Sequence, residues 1–325
     1  MMARIVATGS SVPTRVLRNA DLERMVATSD EWIRERTGIH ERRVVSDGIA
    51  SSDLGTEAAQ GALATAGWDP DSLDLILVAT CTPDMPLPST ACLVQRNLKA
   101  AKAFAFDISA ACTGFLYGLS VADLYVRSGT CRRVLLVGTE VMSAIMDWTD
   151  RNTCILFGDG AGAVLLEASA GDAGILSTHL HSDGNLWDLV CVYGGGSRMP
   201  ASPKMLEDRQ QFMKMKGNET FKVAVKTLEA TAREALAANN LDIKDVDLFI
   251  PHQANLRILH AVAERLGLDR DRLVVNMDRY GNTSAASIPL ALDEALKAGR
   301  IKPGSRILMA AFGSGLTWAS ALVKW

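Results

Sequence analysis

The chain's shortages narrow it first. Its six cysteines, at 81, 92, 112, 131, 154 and 191, include no CxxC pair and no histidines at metal-ligand spacing, which argues against a zinc site. A chain of 325 residues needs no disulfide staples either. Aromatics are only 6% of the sequence, too few to suggest a platform for stacked bases, and the net charge of −3 gives no reason to expect a nucleic-acid partner. No apolar run approaches the roughly 20 residues of a membrane span. The opening MMARIVATGSSVP lacks the basic and apolar regions of a secretory signal, so the expected place of work is the cytoplasm, off the membrane.

What is present is a well-packed globular composition, 48% hydrophobic and 22% charged, with 26 glycines implying tight turns. Apolar runs bounded by turn residues alternate with helical periodicity, the pattern of an α/β protein. Leu73 to Cys81, Ala103 to Asp107, Arg133 to Thr139, Val246 to Pro251 and Arg306 to Ala311 read as buried strands. The chain also repeats itself. Ala62-Leu63-Ala64 recurs as Ala235-Leu236-Ala237, Asp74-Leu75 as Asp247-Leu248, and Arg133-Val134-Leu135 as Arg306-Ile307-Leu308, always 173 residues later. A shared register over so long a stretch implies two fused copies of one α/β half, residues 1–170 and 171–325, joined near the sequence EASAGDAG. The glycine-rich FGDGAGAVLLE does not suit a dinucleotide, because a strand-like run rather than an amphipathic helix follows its glycines.

Three residues stand out for chemistry. Cys112 follows the strand AFAFD and opens a helix rich in small residues, where free amides and the helix dipole favour a thiolate and lower its pKa toward neutrality. Taken alone, a cysteine in such a place is more usually a small buried hydrophobe. His252 leaves a buried strand behind a proline, at the rim where α/β sites assemble, although a structural histidine would fit the same place. Asn282 opens another small-residue helix and, by itself, could be an ordinary N-cap. The repeat joins them: position 112 corresponds to 285, so the helices after Cys112 and Asn282 are counterparts that should meet at the central axis.

The blocks TSDEWIRERTGI, AACTGF, FGDGAGAV, GGGSRMP, MKGNETFKVAV, PHQANLRI, GNTSAAS and FGSGLTWASALV, in this order, resemble those of the β-ketoacyl-acyl carrier protein synthase III family. The resemblance spans essentially the whole chain. It implies a thiolase-like fold, five layers αβαβα in two duplicated halves, and a homodimer. It implies that Cys112 takes a short acyl group from coenzyme A, and that malonyl-acyl carrier protein then loses carbon dioxide and condenses with it. His252 and Asn282 would stabilise the enolate, and the amides of Cys112 and Ser314 would hold the acyl oxygen. The reaction starts type II fatty acid biosynthesis. It calls for no tightly bound cofactor and no metal, only a coenzyme A thioester as substrate.

The resemblance further assigns Thr28, Trp32, Arg36, Arg151, Met215, Gly217, Phe221, Ala254 and Asn255 to coenzyme A binding, with the adenine between Trp32 and Arg151. Carrier docking falls to Lys222, Gln253, Arg257 and Arg265, and the acyl pocket to Phe312 and Leu87, the latter reaching into the partner subunit. An aliphatic Leu87 suggests acetyl and somewhat longer primers. The main alternative on the same scaffold is a condensing enzyme or acyltransferase of secondary metabolism with a different acceptor. A papain-like hydrolase also combines Cys, His and Asn, but the duplicated α/β pattern argues against it.

Overall fold

The computed structural model describes residues 2–325. Its strands form a five-stranded and a four-stranded main sheet. In the first, Met2–Ser11, Asp159–Ser169, Arg133–Val141, Leu75–Ala79 and Phe104–Ile108 lie side by side in that order. In the second the order is Leu248–Pro251, Arg306–Gly313, Thr317–Lys324 and Gly174–Ser182. The first sheet draws on residues up to 169 and the second on residues from 174 onward.

Alternation along the strands builds the layers, because successive side chains leave a strand on opposite faces. Leu75 and Leu77 face a central core with Phe115, Leu119, Ile288 and Leu292, while Ile307 and Met309 enter it from the second sheet. Ile76, Val78 and Leu135 pack outward under the helices Ser51–Ala66 and Thr90–Leu98. Leu308 and Ala310 pack outward under Gly217–Ala238 and Leu256–Leu266. The two helices in the middle, Gly114–Arg127 and Ser287–Lys297, are therefore covered by a sheet on each side. The result is the five-layered αβαβα thiolase-like fold.

Positions 173 residues apart occupy matching places. Leu75 sits opposite Val134 in one parallel pair and Leu248 opposite Ile307 in the other. Asp74 accepts the amide of Arg133 at 3.0 Å, and Asp247 accepts that of Arg306 at 2.7 Å. Each central helix begins with a short 3-10 turn, Ala111–Thr113 or Ser284–Ala286, whose first residue has a left-handed φ of 46° or 47°. Such a backbone is costly for a non-glycine residue and is held here by its surroundings.

The segment FGDGAGAV is strand, not phosphate loop. A Cβ on Gly162 would lie 2.7 Å from the backbone of Leu290 and Pro289, so the glycine lets the second central helix press against the sheet.

Candidate active site

The candidate nucleophile, Cys112, is set by a stitched elbow. The chain leaves the strand Phe104–Ile108, turns through Ala111 and enters the first central helix just after Cys112. Thr113 donates its hydroxyl to the carbonyl of Ala110 at 2.6 Å and pairs with Thr317 of the second sheet at 2.7 Å. Gly313, at the end of its strand, approaches Cys112 so closely that a Cβ there would lie 2.8 Å from the Cys112 nitrogen. The amides of Cys112 and of Ser314 find no acceptor among the described residues. Ser314 donates its hydroxyl to the Val190 carbonyl and accepts Thr317 on its own carbonyl, which fixes the turn.

His252 follows the strand Leu248–Pro251 directly, its amide bonded to the Ala310 carbonyl at 2.8 Å. The residue is 2% exposed, and its Nδ1 lies 2.7 Å from the hydroxyl of Ser287. Burial lowers its pKa to about 3, so the imidazole is neutral at physiological pH. Asn282 is fixed against the segment that leads into the strand Asp159–Ser169, its amide on the Leu156 carbonyl and its carbonyl on the Gly158 amide. Its Oδ1 accepts the Ser284 amide at 2.8 Å, which leaves the Nδ2 donor without a protein partner. Cys112, His252 and Asn282 line one cavity of about 710 Å³, together with Phe312 and Ser314.

The expected depression of the Cys112 thiol is not found. Burial pushes it up to about 12; a hydrogen bond from Ser284 opposes this, and the nearby charge of Glu140 adds to it. The helix start is present, but desolvation outweighs it in the ligand-free cavity.

Glu140 escaped the sequence reading, and so did Cys81 and Ser287. Fully buried, Glu140 accepts from the amides of Cys81 and Thr82 at 3.1 Å each, from the hydroxyls of Thr80 and Thr82, and from the Cys81 thiol at 3.3 Å. Cys81 in turn lines the cavity 3.8 Å from the Ser284 hydroxyl. These partners lie about 60 residues from Glu140 or farther still, so no local motif announces them.

Of the residues assigned to coenzyme A, Arg36, Met215, Gly217, Phe221, Ala254 and Asn255 line this cavity. Trp32 stands beside it with the guanidinium of Arg36 4.6 Å from its ring centre and that of Arg151 4.9 Å away. The slot expected between Trp32 and Arg151 is thus closed on itself by a cation–π contact. Thr28 has a buried hydroxyl oxygen with no partner. Lys222 and Arg257 are exposed at the cavity wall, Arg257 over the Phe221 ring. Arg265 lies outside the lining and pairs with Glu229 at 3.2 Å.

Gln253, expected in carrier docking, is 1% exposed, donating to the carbonyls of Pro251 and Val274 and accepting the Asn276 amide, so within this chain its side chain braces the site's backbone. Leu87, in contrast, is 85% exposed and outside the lining within one chain. Among the described residues, no helix is long and apolar enough to cross a membrane.

Comparison with known proteins agrees with this geometry. Residues 106–184 match the family model described as 3-oxoacyl-[acyl-carrier-protein (ACP)] synthase III, and residues 236–325 match the model of its C-terminal part. A β-ketoacyl-[acyl-carrier-protein] synthase III of Roseiflexus castenholzii is 54% identical over 99% of this chain and 98% of its own. One from Xanthomonas campestris is 53% identical over the same shares. The crystal structure of 3-oxoacyl-[acyl-carrier-protein] synthase III from Aquifex aeolicus superposes with a TM-score of 0.93 at 47% identity, covering 99% of this chain and 100% of the other.

Proposed function

The chain belongs to the β-ketoacyl-acyl carrier protein synthase III family, and from that premise we propose how its own residues carry the condensation. It is an acyl-transferring condensing enzyme of fatty acid biosynthesis, and relatives about half identical over their full length leave the secondary-metabolism alternative unfavoured. The observation that carries the residue assignment is the convergence, in one cavity, of Cys112, a neutral His252 and an Asn282 whose amide nitrogen is left free.

In the first half-reaction the Cys112 sulfur attacks the thioester carbonyl of acyl-coenzyme A. The carbonyl oxygen becomes an oxyanion between the unengaged amides of Cys112 and Ser314, and coenzyme A leaves as its thiol with the proton from Cys112. In the second, malonyl-acyl carrier protein loses carbon dioxide, and charge develops on its thioester oxygen. His252 and Asn282 each donate one hydrogen bond to that oxygen. The carbanion attacks the acyl carbon on Cys112, the carbon–sulfur bond breaks, the departing thiolate takes a proton from solvent to restore the Cys112 thiol, and the β-ketoacyl chain departs on the carrier. Cofactor chemistry is not called on; coenzyme A enters as substrate.

Arg36, Lys222 and Arg257 give the cavity mouth a positive rim suited to the phosphates of coenzyme A and to an acidic carrier, although the chain as a whole is slightly acidic. Trp32 and Arg151 separate to admit the adenine. We assign carrier docking to Arg257 and Lys222, with Arg265 at the margin. A homodimer is supported by the edge strand Phe104–Ile108, whose outer side has no neighbouring strand and whose Phe104 is 45% exposed. Leu87 would then enter the partner's acyl pocket. The duplicated halves are residues 1–170 and 171–325. The cytoplasm is the compartment proposed, since multiply charged thioesters do not cross membranes unaided.

The test separates the half-reactions. His252→Ala and Asn282→Ala should each still take acetyl onto Cys112 but lose malonyl decarboxylation by about 100- to 1,000-fold, the usual cost of one such donor. Loss of acetylation with decarboxylation intact would overturn the assignment.

A further inference from the structure

Resting on that reading, we propose that Ser287 is a positioning residue for the decarboxylation half-reaction, donating its hydroxyl proton to His252 Nδ1 and so placing the ring's single proton on Nε2, the nitrogen left to meet substrate.

Ser287 is the first residue of the second central helix and is 1% exposed. Two groups approach its oxygen: His252 Nδ1 at 2.7 Å and the backbone nitrogen of Gln253 at 3.4 Å. A backbone N–H can only donate, so toward Gln253 the serine oxygen accepts. Its own hydrogen then needs an acceptor, and His252 Nδ1 is the one recorded within hydrogen-bond distance. Were Nδ1 protonated instead, the oxygen would receive two donors and its hydrogen would have nowhere to go. Only one tautomer satisfies all three groups.

The frame around this bond is rigid. Gln253 is held on both ends of its side-chain amide, to Pro251, Val274 and Asn276, which keeps its N–H aimed at Ser287. The ring stays neutral because it is buried, so it has a single proton to place. That location decides function: Nε2–H can donate to a developing enolate oxygen, whereas an Nε2 lone pair would repel it. Asn282 is treated alike, its Oδ1 tied to the Ser284 amide so that only the donor end remains free. Ser287 itself touches no substrate. The first half-reaction relies on the amides of Cys112 and Ser314 and should not feel its loss.

The experiment begins with the wild-type homogeneous enzyme labelled with ¹⁵N-histidine. The five histidines are assigned by substitution, and His252 should show a protonated Nε2 and an unprotonated Nδ1. In Ser287→Ala the His252 signals should move toward a mixture of tautomers. Acetylation of Cys112 by acetyl-coenzyme A should stay within about twofold, while malonyl-carrier decarboxylation falls about 10- to 100-fold, short of the cost of deleting the donor outright. Ser287→Thr, which keeps the hydroxyl, should recover most of it. A wild-type His252 with its proton on Nδ1 overturns the proposal without any variant, as does decarboxylation at the wild-type rate in Ser287→Ala. A wild-type Cys112 that takes no acetyl at all would instead count against the parent reading.

Discussion

Substituting Gly313 by alanine probes the contact on which the acyl-oxygen site depends. The added Cβ would sit 2.8 Å from the Cys112 nitrogen and 2.9 Å from its Cβ, whereas ordinary contact begins at 3.4 Å. Backbone at the elbow must therefore move by roughly 0.6 Å, and no flexible side-chain end is available to yield instead. Overpacking of this kind costs about 1–3 kcal/mol, which a domain stable by about 5–15 kcal/mol survives folded. The larger consequence is geometric, because the displaced group is one of the two amides proposed to hold the oxyanion. Losing such a donor costs about 100- to 1,000-fold, so a partial displacement should slow acylation by tens to hundreds of fold. The assay is single-turnover transfer of labelled acetyl from acetyl-coenzyme A to Cys112, read beside a thermal melt. Gly171→Ala is the control, since nothing lies within 4 Å of a Cβ there. Wild-type acylation in a folded Gly313→Ala enzyme would refute the reasoning.

Other outcomes follow from the same geometry. Because burial raises the free Cys112 thiol to about 12, its thiolate fraction grows tenfold per pH unit below that value, and alkylation by iodoacetamide should climb from pH 7 to 10 without levelling. A plateau between pH 6 and 8 would mean that the helix start outweighs desolvation after all. His252, with its pKa lowered to about 3, should impose no loss of decarboxylation as pH falls from 8 to 5; a titration near 6.5 would contradict this. At Leu87, the wild-type enzyme should accept butyryl- as well as acetyl-coenzyme A, and Leu87→Phe should depress the butyryl rate while sparing acetyl. Equal chain-length profiles for the two enzymes would remove Leu87 from the pocket.

Much of the architecture is readable before any coordinates, because repetition and alternation are local in sequence. The 173-residue offset predicts that Asp74 and Asp247 play one part, and both hold an arginine amide at the start of the neighbouring strand. The same offset predicted that the helices after Cys112 and Asn282 would approach each other, and Ala111 and Ser284 turn out to share a left-handed backbone. Gly114 makes the approach visible: a Cβ there would lie 3.5 Å from the Cβ of Ala285. What escaped has no periodic signature. Glu140 gathers partners from a distant loop, and Ser287 reads simply as one more small residue in GNTSAAS. The resemblance assigns Gln253 to carrier docking, yet it is buried, because its amide satisfies three backbone groups that the strand end leaves open. The raised Cys112 thiol is illegible in the sequence for a related reason. A helix start can be read from sequence, but the desolvation that outweighs it depends on everything packed around the cavity.

The central claim is that Cys112 carries the acyl group between the two substrates. Its most direct test is mass spectrometry of the enzyme after brief incubation with acetyl-coenzyme A. One acetyl group should appear, on the peptide containing Cys112, and it should be discharged on adding malonyl-acyl carrier protein as acetoacetyl-carrier forms. An unmodified Cys112 under turnover, or an acetyl group that resides on another of the six cysteines, would contradict the account.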